Sequence, residues 1–220
     1  MSQFFDGEFP PGEQIPRRME ITLSPEAGPH GDLVRMTING LRVGDPLTDN
    51  AWRETGYRWH DTLHLAHAVC LGWSPILRAM AGLKRRSDPR VDHIEDGGRA
   101  AVADEAIAWA VFCHARNRDW YRRTPVGRSL LGYVQEMTYA LEVSSRSRDE
   151  WAHAIRTGLQ CMHSVWEHNG GVLVGDLTTR SLTYQSPLTY RGLARSALVA
   201  GSILAGSDSR SASAFGGTPA

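Results

Sequence analysis

Residues 57–71, YRWHDTLHLAHAVCL, restrict the fold more than any other stretch of the chain. Their apolar positions recur at helical spacing, and Gly72 stands where a left-handed C-terminal residue ends a helix. On such a helix His60 and His64 are one turn apart, and His64 follows Asp61 by three. Either pair can meet a single ion or phosphate from one face, and His67 continues the row. A buried Asp61 would need a partner. A lone histidine such as His67 reads more simply as a core or surface residue.

Beyond Gly72, Trp73-Ser74-Pro75 carries an N-cap serine and a proline at the first helical position, which predicts a short helix over residues 75–83. It ends in Lys84, Arg85 and Arg86, cations that suit the negative end of a helix dipole and can equally hold a phosphate chain. Ser87-Asp88-Pro89 repeats the cap signal. Asp92, Glu95 and Asp96 then share a helical face, where their repulsion calls for Arg99 or a divalent cation of the Mg²⁺ or Mn²⁺ class. Gly97-Gly98 weakens the helix before a further helix over residues 99–114, which carries Asp104 and Glu105. The spacing permits Glu105 to sit opposite Asp61, and a solvated charged face is the alternative.

The N-terminal region has a different pattern. Residues 1–16 read as an irregular arm laid on the domain. MEITL and LVRMTI, then Asn39-Gly40 and LRVG, form a strong hairpin signal, so a small antiparallel sheet is expected there. The turn at residues 44–50 delivers the chain to the central helices, with Asp49 or Asn50 as a cap and Asp49 within possible reach of the site. Arg116, Arg118, Arg122 and Arg123 interleave with Trp120 and Tyr121, a composition that suits a helix surface or a stacked nucleotide. Helices follow over residues 130–143 and from Ser147 to the Asn169-Gly170-Gly171 stop. VLVGDL and SLTYQ suggest a second hairpin near 172–185. A last helix is expected over residues 188–206, with a disordered tail from Ser207. The whole reads as mainly α: one helical domain over 17–206 with hairpin additions.

A chain of 220 residues with 41% hydrophobic content holds one sizeable core. Its formal net charge of zero gives no strong nucleic-acid signal. Cys70, Cys113 and Cys161 lack metal-type spacing and read as reduced thiols. The lack of a secretory signal or membrane-length apolar run predicts a cytoplasmic protein.

In order, GDPLTDN, GYRWHDTLHLAHA, LGWSP, KRRSDP, IEDGGRA and DEAI resemble the MazG-like domains, especially the C-terminal type found with nucleotide pyrophosphohydrolases, over roughly residues 14–180. The resemblance implies an all-α core related to enzymes that cleave nucleoside triphosphates to monophosphate and pyrophosphate with Mg²⁺. MazG catalytic domains carry Glu-x-x-Glu and Glu-x-x-Asp. This chain offers Asp61-x-x-His64 and Asp92-x-x-Glu95 instead, a set shifted toward Mn²⁺ or a transition metal. The expected metal ligands are Asp61, His64, Asp92, Glu95, Asp96 and Glu105. His60, Asp61 and Glu105 are the catalytic candidates, with His60 as proton carrier. Tyr57 or Trp73 would stack on the base, and Arg58, Lys84, Arg85, Arg86 and Arg99 would bind substrate. A homodimer is expected. The alternatives are a non-catalytic nucleotide-sensing or interaction module and an HD-type phosphohydrolase built on the His60-Asp61 doublet, for which His30 is the one upstream histidine.

Overall fold

The computed structural model describes residues 4–29 and 31–185, and much of it is arranged on strand β1 (Arg18–Gly28). Met19, Ile21 and Leu23 are buried while Arg18, Glu20 and Ser24 are exposed, the alternation of a strand with one covered face. Its partner β2 (Gly31–Ile38) turns through Asn39 and Gly40, at φ +51° and +80°, into β3 (Leu41–Leu47). The Asn-Gly signal predicts that turn, because both positions require the left-handed region. Far along the chain, β4 (Gly171–Asp176) and β5 (Ser181–Gln185) form a second antiparallel pair.

These two hairpins are not separate. β4 pairs antiparallel with the free edge of β1, Ile21 opposite Leu173, giving one five-stranded sheet in the order β3-β2-β1-β4-β5. The fold is therefore mixed α/β, which corrects the expectation of a mainly α bundle with small hairpins. An isolated hairpin is marginal and leaves an edge of unpaired peptide groups, whereas joining the two satisfies β1 on both sides.

The helices cover one face of this sheet. Residues 57–71 form three kinds of helical turn rather than one helix: a 3-10 turn at Tyr57–Trp59, α1 (Asp61–Ala66) and a π turn at His67–Leu71 that stops at Gly72, φ +74°. Serine and aspartate caps start α2 (Pro75–Met80) and α3 (Pro89–Ile94): the Ser74 side chain accepts from the Leu77 amide, and Asp88 from those of Arg90 and Val91. α4 (Gly98–Arg116) and α5 (Arg128–Thr138) precede α6 (Arg148–Glu167), which opens on a reciprocal Ser147–Glu150 capping box.

Two apolar cores meet at α1. Leu65 and Val69 join Ile21, Met36 and Leu173 of the sheet, while Leu63 and Leu71 join Ile107, Val134, Trp151 and Leu159 of the helices. α6 lies close on α1 at Gly158, where a methyl group would stand 3.0 Å from both Ala66 Cβ and Leu63 Cδ2. That proximity fixes the histidine-bearing segment between the sheet and the helical layer.

The N-terminal arm is tied down by charge. Asp6 is 1% exposed, and its Oδ2 accepts from Arg78 and from the Ile15 amide, both at 2.8 Å, while Oδ1 pairs with Arg17. Burial alone would raise the Asp6 pKa, but Arg17, the Ile15 amide and Arg78 outweigh it and hold the carboxyl below its ordinary value. A folded pKa below the unfolded one gives stability that is present above about pH 4 and lost as pH falls through the folded value. Asp6→Asn should therefore lower stability by about 3 kcal/mol at pH 7 by leaving Arg78 short of a buried partner. It should also flatten the loss of stability as pH falls below about 4. Urea midpoints of both proteins across that range test this, and parallel acid curves would contradict it.

The last helix expected over 188–206, the tail from Ser207 and His30 lie outside the described residues.

Candidate functional site

A histidine row on the 57–71 segment faces two adjacent carboxylates of α4. Ala100, Ala103, Ile107, Ala108 and Val111 form the buried stripe of α4, and Asp104 falls within it. Glu105, about 100° further round, reaches the surface. Asp104 is fully buried and fully engaged. Its Oδ1 accepts from His67 Nδ1 at 2.8 Å, and its Oδ2 accepts from the Ser74 hydroxyl at 2.6 Å. His64 Nδ1 stands 3.0 Å from the same Oδ1 as an ion-pair contact.

Glu105 takes the outer side of His64. Its Oε2 is 3.1 Å from His64 Nε2, and its Oε1 accepts from the Tyr57 hydroxyl at 3.0 Å and lies 3.6 Å from His60 Nε2. His60 Nδ1 is 2.8 Å from the Tyr57 carbonyl, a contact that requires the proton on Nδ1 and leaves Nε2 as the ring nitrogen facing the carboxylates. Asp61 Oδ1 is 3.8 Å from that same Nε2. His60, His64 and Glu105 each offer one ligand atom, all within 4.8 Å of one another, and so do His64, His67 and Asp104.

The charges in this cluster support one another. Burial would lower the His64 pKa, but the Asp104 charge, with Glu105 and Asp61, outweighs it and lifts the imidazole to about 10. Asp104 shows the converse, since His64 and His67 overcome its burial and hold it well below the carboxylate range. The His64 hydrogen bond lowers the Glu105 pKa from its ordinary value. Asp61 goes up, mainly through burial. Burial and the Glu105 charge keep the Tyr57 phenol protonated and therefore a donor.

The structure thus gathers Tyr57, His60, Asp61, His64 and Glu105 of the expected set. The remaining carboxylates have other partners. Among the described residues, Asp92, Glu95 and Asp96 belong to neither group able to hold a metal. Asp96 is buried against Arg85 and Arg78, and Glu95 accepts from the Glu142 amide at 3.0 Å. α3 stops at Ile94, short of the shared face expected for all three. Arg85 is buried between Asp96 and Glu142. Arg58 pairs with Glu54 and Asp49, whose carboxylate also accepts from the amides of Thr55, Gly56 and Arg58. Trp73 is 1% exposed and packs edge-on to Trp151, so it presents no face for a base. Lys84 is half-buried, and Arg86 and Arg99 are exposed.

Asp104, His67 and Ser74 are site residues that the motif reading passes over. The usable signal is a carboxylate on the otherwise apolar stripe of α4, which demands a buried partner.

Neither a curated protein nor a solved structure matches this chain. The family model described as the MazG C-terminal domain matches residues 1–188. The matched span contains every strand and helix above and both carboxylate–histidine groups, and on it the chain belongs to the MazG C-terminal domain family.

Proposed function

We propose that this protein is a metal-dependent nucleotide phosphohydrolase, specifically a nucleoside triphosphate pyrophosphohydrolase, with its divalent ion held by His60, Glu105 and, once the ion replaces the proton on its Nε2, His64. The observation that carries this reading is the convergence of two imidazole Nε2 atoms and one half-exposed carboxylate, each held from behind. The Tyr57 carbonyl orients His60, Asp104 faces His64, and the Tyr57 hydroxyl steadies Glu105. Metal-ligating histidines are commonly oriented by such outer contacts. Family membership supports a relationship to nucleotide pyrophosphohydrolases.

Mg²⁺, the metal that the family relationship implies, does not fit this donor set. It prefers six oxygen ligands in near-ideal octahedral geometry, whereas two imidazoles and a carboxylate suit Mn²⁺ or another borderline divalent ion. Such an ion supplies charge neutralisation and Lewis acidity for a polyphosphate. Asp61 is a further carboxylate at the same place, and Asp104, anchored by Ser74, positions His64 without reaching substrate.

Calorimetric titration of the metal-free protein with Mn²⁺ and Mg²⁺ should show the tighter site for Mn²⁺. His60→Ala and Glu105→Ala should each weaken it by at least about tenfold. A nucleoside tri-, di- and monophosphate panel with Mn²⁺ should then release pyrophosphate only from triphosphates, and a chelator should abolish the release. Unchanged Mn²⁺ affinity in both variants would remove the site assignment. Nucleotide binding without turnover or metal would instead favour the sensing module. Orthophosphate release from a monophosphate would favour the HD-type reading, whose His60 and Asp61 side chains do stand together here.

A further inference from the structure

We propose that Trp109 is the platform on which a nucleobase stacks when the phosphates of the same nucleotide are held by the divalent ion at His60, His64 and Glu105. This rests on the site reading above and adds to it the residue that meets the base. Along α4, Val102, Glu105 and Trp109 follow at intervals of three and four, so they line one stripe of the helix surface. Trp109 is 51% exposed and Val102 65% exposed, and the Glu105 side chain between them is 45% exposed. The remaining large apolar side chains of α4, Ile107, Val111 and Phe112, are buried.

The exposed indole is held in place. It meets Tyr57 edge-on at 5.0 Å between centroids and stacks on the buried Phe112 at 5.9 Å with an interplanar angle of 22°. Tyr57 in turn stacks on His60 at 4.1 Å and 2°, and its hydroxyl donates to Glu105. A continuous row of rings therefore runs from the imidazole of the candidate centre to the exposed face of Trp109. A ring fixed in this way loses little freedom when a planar ligand settles on it. Every nucleobase has a π face, so the platform accepts purines and pyrimidines alike, and the polyphosphate extends toward the ion held beside Glu105, one helical turn away.

The test is calorimetric titration of the full-length protein, with and without Mn²⁺, with ATP, CTP and inorganic triphosphate. Trp109→Ala should weaken both nucleotides by about 5- to 100-fold and leave inorganic triphosphate unchanged. Trp109→Phe should restore most of the nucleotide affinity. Equal affinities of wild type and Trp109→Ala for ATP overturn the platform. So does light scattering that finds a wild-type dimer and a Trp109→Ala monomer with the same ATP affinity, since the stripe would then belong to a second copy of the chain. The metal reading fails separately: if Glu105→Ala leaves Mn²⁺ and triphosphate binding intact while Trp109→Ala still loses ATP, the platform stands without that metal site. A wild-type protein that binds no nucleotide overturns both.

Discussion

Replacing Asp104 with alanine is expected to destabilise the protein by about 3–5 kcal/mol, the range for removing one member of a buried charged network. Three side chains depend on this carboxylate. His67 and Ser74 donate to it, and the His64 imidazolium is held against it, all away from solvent. Alanine would leave them facing a void, with His64 relying on the half-exposed Glu105 and on the charge of Asp61. Asp104→Asn separates shape from charge. Its side-chain oxygen can still accept from one of these donors, so the stability loss should be smaller. The charge that orients His64 is gone, however, and Mn²⁺ affinity should fall by about 10- to 100-fold. Urea denaturation followed by circular dichroism measures the first effect, and metal titration of folded Asp104→Asn measures the second. If Asp104→Ala stays within about 1 kcal/mol of wild type, the buried network contributes little and the site is not held as described.

Local features of the structure were legible wherever they rest on local physics. The Asn39-Gly40 turn, the caps at Ser74, Asp88 and Ser147 and the stop at Gly72 each depend on a few neighbouring residues, and those residues say so. The sheet was not legible as one object. Pairing Ile21 with Leu173 depends on two distant segments finding the same edge, and neither carries a mark of the other. The candidate site divides in the same way. His60 and His64 are a turn apart and show their shared face at once, with Glu105 foreseeable as a neighbour. The second acidic group misled because composition cannot tell a carboxylate facing a metal from one facing an arginine. Asp96 lies just past the end of α3 and turns inward to Arg85, so helical spacing no longer describes it. Trp109 carries no local mark that sets it apart from the apolar residues around it, and only the structure reveals it as exposed.

Arg85→Ala should likewise cost about 3–5 kcal/mol of stability, while the folded variant keeps its affinity for inorganic triphosphate. Basic residues beside one another at 84–86 invite the reading of a phosphate clamp, but their surroundings differ. Lys84 is half-buried and Arg86 exposed, whereas Arg85 is 1% exposed. Its guanidinium donates twice to Asp96, at 2.7 and 3.1 Å, and twice to Glu142, at 2.8 and 2.9 Å, and its amide also donates to Asp96. Those bonds occupy the planar fork that would otherwise grip a phosphate. Arg85→Lys should not rescue the fold, because an ammonium cannot make both pairs of bonds at once. Lys84→Ala and Arg86→Ala should each stay within about 0.5 kcal/mol of wild type. Thermal denaturation of the four variants, with triphosphate titration well below each midpoint, decides the matter. An Arg85→Ala protein of unchanged stability that no longer binds triphosphate would return this arginine to the substrate. The reverse pattern identifies it as the cation that neutralises Asp96 and Glu142 and so joins the start of α4 to the chain following α5.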